Sequence, residues 1–98
     1  MADIRFEWDQ RKNTANKRKH GISFEEAATV FSDDNALLLS DPEHSDEEDR
    51  FLLLGLSVSL RTLVVCHCYR KDAKVIRIIS ARKATRNERT QYVQRYRE

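Results

Sequence analysis

Three arginines and the turn between two of them carry the chemical interest of this chain. The run IRIISARKATRNE, residues 76–88, sets Arg77 among Ile76, Ile78 and Ile79 and follows at once with Arg82, Lys83 and Arg86. The β-branched residues belong in a buried strand. A guanidinium among them is costly unless it is paired. Its partner is either a protein carboxylate, Glu7 or Glu88, or an external anion such as a phosphate. Arg70 ends the preceding apolar run and opens the turn RKDAK, which brings in Lys71 and Lys74. If the two runs form a hairpin, Arg70 and Arg77 lie a few residues apart across it. Paired planar donors of this kind match phosphate oxygens. RNA cleavage without a metal needs a base for the 2′-hydroxyl, an acid for the leaving oxygen and cations for the charge that builds on phosphorus. Arg70, Arg77 and Arg82 suit the last role. His20, Tyr69, Lys12 and Lys19 are candidate proton handlers, histidine being the side-chain type whose ordinary pKa lies nearest neutrality. Each also has a plainer reading. His20 fits a helix C-terminus, where the dipole favours it, and Tyr69 fits a half-buried strand aromatic.

A metal centre is the weaker idea. Cys66, His67 and Cys68 are consecutive, and strand alternation puts His67 on the face opposite both thiols. The acidic stretch DPEHSDEED offers oxygen ligands for Mg²⁺ or Ca²⁺ but lacks the spacing and internal glycine of an EF-hand loop. No glycine-rich phosphate loop or Ser-His-Asp spacing is present, and no motif calls for a cofactor.

The elements that must position these groups are legible. With 98 residues, 40% hydrophobic and 35% charged, the chain fits one small globular domain. The net charge of +2 says little, but its distribution says more. Arg11 to His20 holds five Lys/Arg and no acid, whereas Asp41 to Asp49 holds six acids and no Lys/Arg. Arg82 to Glu98 holds six Lys/Arg against two acids. Such segregation fits a basic surface for nucleic acid, and its plain alternative is a set of solvated helix faces. No apolar stretch approaches the roughly 18–20 residues of a membrane span, and the start MADIRFEWDQ lacks a signal peptide's apolar core. The default location is the cytoplasm.

Ile4, Phe6 and Trp8 alternate with polar residues as a first strand. Asp9 caps a helix through about Lys19, with Gly21 as its C-terminal cap. Ser23 and Glu26 form a capping box for a second helix, whose Phe24, Ala27, Ala28 and Phe31 face a core. Ala36–Leu39, Phe51–Val58, Thr62–Tyr69 and Lys74–Ser80 read as strands joined by short connections, hence antiparallel. Thr85 and Glu88 form another capping box for a last helix through about Arg97. The order is β-α-α-β-β-β-β-α, an α+β fold with an antiparallel sheet covered by helices.

With these residues laid out, the chain resembles the BrnT family of toxins from bacterial type II toxin–antitoxin systems. The likeness rests on FEWDQRKNTANKRKHGISFEEA at 6–27, RFLLLG at 50–55 and IRIISARKATRNERTQY at 76–92. It implies one toxin domain over residues 1–98 with a RelE-like fold. It implies an endoribonuclease that needs no metal, blocks translation, and is neutralised by a small BrnA-type antitoxin in a 2:2 assembly. Operator DNA is then met only through the antitoxin. Carried over by position, the functional cations are Arg70, Arg77 and Arg82, with Lys12, Lys19 and His20 from the first helix. Lys71, Lys74, Lys83 and Arg86 are the further candidates for contact with RNA. Many relatives carry a glutamate just before the strand-end arginine, where this chain has Tyr69. A free phenol, with a pKa near 10, does not replace a carboxylate as a base. Two other classes compete with the enzyme: a non-catalytic nucleic-acid-binding module acting within an antitoxin complex, and a scaffold whose basic face docks an acidic partner.

Overall fold

The structure, a computed structural model, describes residues 4–40 and 49–97. The acidic stretch that offered metal ligands falls, except for Asp49, outside the described residues. The elements are β1 (Arg5–Glu7), α1 (Gln10–His20), α2 (Phe24–Thr29) with a 3-10 turn (Val30–Ser32), β2 (Leu37–Ser40), β3 (Phe51–Leu56), β4 (Thr62–Arg70), β5 (Val75–Lys83) and α3 (Arg86–Arg97). Their order is the one read from the sequence. The sheet runs β1-β5-β4-β3-β2. From β2 to β5 it is an antiparallel meander, but β1 lies parallel to β5 at the edge. The wholly antiparallel sheet expected from short connections is therefore corrected to a mixed one. The hairpin rule holds only for strands joined by tight turns. β1 is followed by two helices, so nothing obliged it to pair antiparallel.

Helices cover both faces. On one face α1 and α2 lie over Leu53, Leu63, Val65, Ile78 and Ala81, with Ile22, Phe24, Ala27 and Val30 filling the space between. On the other, Tyr92 of α3 and Ala84 pack on Leu54 and Val64. β3 and β4 are thus buried on both sides, which explains their unbroken apolar runs. Gly55 of β3 is required by close approach: a Cβ there would stand 2.9 Å from both Ala36 Cβ and Val30 Cγ1.

The caps of α1 are as expected. The Asp9 carboxylate accepts from the N–H groups of Arg11 and Lys12, and Gly21 takes a left-handed φ of 72°. Thr85 and Glu88 complete their box reciprocally. Ser23 and Glu26 make only half of theirs. The Ser23 hydroxyl accepts from Glu26 N–H, but the Glu26 carboxylate turns to Arg61 and the Ser57 hydroxyl instead. That contact ties the β3–β4 turn to α2.

The helix α1 has no apolar stripe, and two buried asparagines anchor it. Asn13 accepts from Phe24 N–H at 2.8 Å and donates to Glu25. Asn16 donates to the carbonyls of Ile22 and Ala81, at 2.9 and 2.8 Å, and accepts from Ala81 N–H. Asp33 has a similar linking role. Its carboxylate accepts from Tyr92 O–H at 2.6 Å and from Leu56 and Asn35 N–H.

Replacing Asn16 with Ala leaves three buried backbone groups without this partner. The expected loss is about 3 kcal/mol of unfolding free energy, read from urea titrations. A second expectation concerns acid. The Arg61 hydrogen bond holds the Glu26 carboxyl below its ordinary pKa, against burial. Burial pushes the Asp33 carboxyl up, but hydrogen bonds from Tyr92, Leu56 and Asn35 hold it below its ordinary value. Both bind protons more weakly when folded, so their contribution is complete above the unfolded carboxyl range, about pH 4. It is lost as pH falls through the lowered folded values. Urea midpoints measured against pH should fall below about pH 4, and the fall should be shallower in Glu26→Gln.

Candidate functional site

The turn between β4 and β5 opens the site. Lys71, Asp72 and Ala73 all take left-handed backbone angles, with φ of 52°, 58° and 65°. For residues with a Cβ this conformation costs about 1–2 kcal/mol each. The strained turn sets Lys71 beside β1. There Arg5, Glu7, Lys71 and Val75 line a recess of about 170 Å³.

Strand register places the arginines next to it. Arg77 pairs with Cys68 across β4 and with Glu7 across β1. Arg70 pairs with Val75, one same-face step nearer the turn. All of these side chains leave the sheet on the face opposite α1 and α2. Arg77 Nη1 donates to Glu7 Oε2 at 2.9 Å, and Arg70 Nε stands 4.0 Å from the same oxygen. The group is open to solvent: the side chains of Arg70, Arg77 and Glu7 are 52%, 31% and 38% exposed. Of the two carboxylates suggested for Arg77, Glu7 is the one it meets.

Arg82 reaches this face by way of an irregularity. Residues 77 and 82 are an odd number apart and would point to opposite faces of a regular strand. The register shifts between Cys66 and His67, which pair with Ser80 and Ile78, so Ile79 has no opposite number. Beyond this bulge Arg82 pairs with Val64 and shares a face with Arg77. Its guanidinium is held as a fork on Glu88, Nη1–Oε1 at 2.8 Å and Nη2–Oε2 at 2.9 Å. That fork, aided by Thr85 N–H and opposed by burial, lowers the Glu88 carboxyl to about 2. The same fork raises Arg82 above its ordinary value.

The other candidates lie elsewhere. Tyr69 leaves β4 on the α1–α2 face, where its hydroxyl is 3.2 Å from His67 Nε2 and its ring lies against Phe51. Burial raises the Tyr69 phenol. His67 is fully buried, with Nδ1 3.1 Å from the Val65 carbonyl. Burial lowers its pKa, against that hydrogen bond, and favours the neutral ring. Lys12 and Lys19 are exposed and His20 is half-buried on α1, which packs over β5 through Asn16 on the Tyr69 side. Lys83, opposite Leu63, also belongs to that side. Lys74 is exposed in the strained turn, and Arg86 opens α3. The structure therefore gathers Arg70, Arg77 and Lys71, sets Arg82 and Arg86 further along, and leaves Tyr69, His20, Lys12 and Lys19 behind the sheet. Cys66 and Cys68 are buried on the arginine face, away from the His67 side. Among the described residues no group of three or more His, Cys, Asp or Glu is placed to hold a metal.

Sequence reasoning undervalued Arg5 and Glu7. Their signal was alternation: in RFE the two polar residues share a strand face, and only the pairing with β5 reveals what that face meets.

No match was found among curated protein sequences. A solved structure does match: the crystal structure of the Brucella abortus ribonuclease toxin BrnT, with a TM-score of 0.66 and 21% sequence identity, over 85% of this chain and 99% of that one. That likeness is one of fold. Residues 8–88 match the family described as ribonuclease toxin, BrnT, of type II toxin–antitoxin systems. This span takes in α1 with its asparagines, the whole β2–β5 meander and the Arg82–Glu88 fork, and on it the chain belongs to the BrnT family of ribonuclease toxins.

Proposed function

We propose that this toxin is a metal-independent endoribonuclease that inhibits translation in the cytoplasm by cutting RNA. In this reading it is one RelE-like toxin domain, neutralised by a BrnA-type antitoxin in a 2:2 complex, and it meets operator DNA only through that partner. The observation that carries the reading is the placement of Arg70 and Arg77 on one solvent-open sheet face beside Lys71. Forked donors at that spacing suit a phosphodiester, and they suit it better as charge builds on its oxygens during attack. Arg70 and Arg77 then stabilise the pentacoordinate phosphorus. Lys71 and Lys74 hold the flanking backbone on one side, and Arg82 and Arg86 extend the path toward α3, while Lys83 meets RNA from the opposite face of β5. Lys12, Lys19 and His20 contact RNA that wraps over the edge to α1.

Cleavage proceeds by attack of the 2′-oxygen on the neighbouring phosphorus and departure of the 5′-oxygen. Such chemistry runs on positioned protons and cations. Tyr69 contributes as a neutral hydroxyl, because burial raises its phenol further above neutrality. Its reach to RNA is around the β4 end rather than through the sheet.

Purified toxin incubated with RNA in EDTA should produce cyclic-phosphate or 3′-phosphate ends. Arg77→Ala and Arg70→Ala should each lower the cleavage rate by about a hundredfold. Arg70 is exposed and Arg77 half-buried, and their ion pairs with Glu7 are solvent-open, so circular dichroism and urea midpoints should stay close to wild type. Wild-type toxin that shifts RNA in a gel yet leaves it whole would instead establish the binding module. In the same assay Tyr69→Phe should keep about half of the wild-type rate or more, since the donor lost is weak. A loss as large as that of Arg77→Ala would move the chemistry to the Tyr69 side.

A further inference from the structure

We propose that Glu7 is the general base, the group that takes the 2′-hydroxyl proton. The inference rests on the ribonuclease reading and names a residue that it leaves open. Geometry selects Glu7. It stands at the point where β1 meets Arg77, with Oε2 2.9 Å from Arg77 Nη1 and 4.0 Å from Arg70 Nε. It also borders the recess lined by Arg5 and Lys71. A phosphodiester drawn to the two guanidiniums therefore brings its adjoining ribose to this carboxylate. At 38% exposure Glu7 is open to an incoming hydroxyl and is not sealed in the core.

The competing groups are worse placed. Glu88 is a second carboxylate on this face, but both of its oxygens are occupied by the Arg82 fork, and one also accepts from Thr85 N–H. Tyr69 and His67 bond to each other on the far side of the sheet. His20, Lys12 and Lys19 belong to α1, over that same far side. Glu7 is joined to Arg77 through one oxygen, not a closed fork. That single contact fixes the carboxylate's orientation while the phosphate binds alongside.

The step balances as follows. The 2′-O–H bond breaks and its proton passes to a Glu7 carboxylate oxygen. The 2′-oxygen forms a bond to phosphorus as the bond from phosphorus to the 5′-oxygen breaks. Water supplies the proton that the departing 5′-oxygen needs. The products are a 2′,3′-cyclic phosphate and a 5′-hydroxyl, and Glu7 returns its proton to solvent.

The test must separate a base from a residue that merely steadies Arg77. Glu7→Gln keeps the shape and an oxygen able to accept from Arg77, but it cannot take the proton. Single-turnover cleavage of RNA by the full chain in EDTA, followed as kcat/KM against pH, reads the difference. Wild type should show a rise at acid pH that reports the base. Glu7→Gln should lose about a hundredfold or more in rate, and that acid limb should vanish. RNA affinity, by gel shift, should be unchanged or tighter because a negative charge has gone. Glu7→Asp, which keeps the carboxylate on a shorter arm, should retain the limb at an intermediate rate. The inference is overturned if Glu7→Gln cuts within about threefold of wild type, or if it loses rate while keeping the acid limb, the mark of a positioning residue. It is also overturned if Glu7→Asp cuts without the limb. If wild type itself cuts no RNA, the ribonuclease reading falls and takes this inference with it, a result distinct from an active wild type with an active Gln variant.

Discussion

The side chain of Asn16 holds two layers of this protein together. The helix α1 reads QRKNTANKRKH, with hardly an apolar atom to offer a core. A helix so polar gains little from burial, and most helical stability in proteins comes from a packed apolar face. Asn16 supplies another kind of anchor. Its amide spans the Ile22 carbonyl just past the helix and both the N–H and C=O of Ala81 on β5. Ala81 lies beyond the three residue pairs that β1 makes with β5, so its outward groups have no strand to meet. The amide stands in for that strand. A buried edge left unsatisfied would be costly, and one side chain removes the cost on both elements. It also lets β1 stop after Glu7, so that the chain turns into α1 through Trp8 and Asp9.

The short β1 and the bulge in β5 together decide what the open face presents. β1 contributes Arg5 and Glu7 to it, and the bulge rotates Arg82 onto it. A regular β5 would have put Arg82 under the helices, where a guanidinium has no aqueous surroundings and a large desolvation penalty. With the bulge, Arg82 can reach Glu88 and fasten the first turn of α3 instead. One unpaired residue, Ile79, therefore both aligns the arginines and fixes the helix that follows.

Much of this was legible before any coordinates. Element order, the Asp9 and Gly21 caps, the Thr85–Glu88 box and the hairpin neighbourhood of Arg70 and Arg77 all follow from local rules of spacing and turn chemistry. Strand alternation even placed His67 on the face opposite Cys66 and Cys68. The features that escaped depend on contacts between distant parts of the chain. The parallel pairing of β1 is a choice between two edges and two directions, and three residues carry too little pattern to make it. The bulge leaves no mark on IRIISARK, because isoleucines are at home on either face. Glu26 abandoned its box because Arg61, 35 residues away, offered a charged partner that the helix start could not match.

The two arginine–carboxylate pairs differ in a way that bears on function. The Arg82–Glu88 fork spans six residues of sequence and uses two donors and two acceptors. Opening it exposes a carboxyl held near 2 and frees the start of α3. The Arg77–Glu7 contact joins positions 70 residues apart through one hydrogen bond, at a sheet edge open to water. Exposed pairs of that kind contribute at most about 1 kcal/mol, so an anion that competes for Arg77 displaces little. A phosphodiester gains more from Arg77 than from Arg82, since at Arg82 it must first undo a fork as good as the one it would make. In the proposed ribonuclease reading, that difference assigns the reactive end of the basic face to the β1 edge, where Arg70 and Arg77 share one carboxylate oxygen between them.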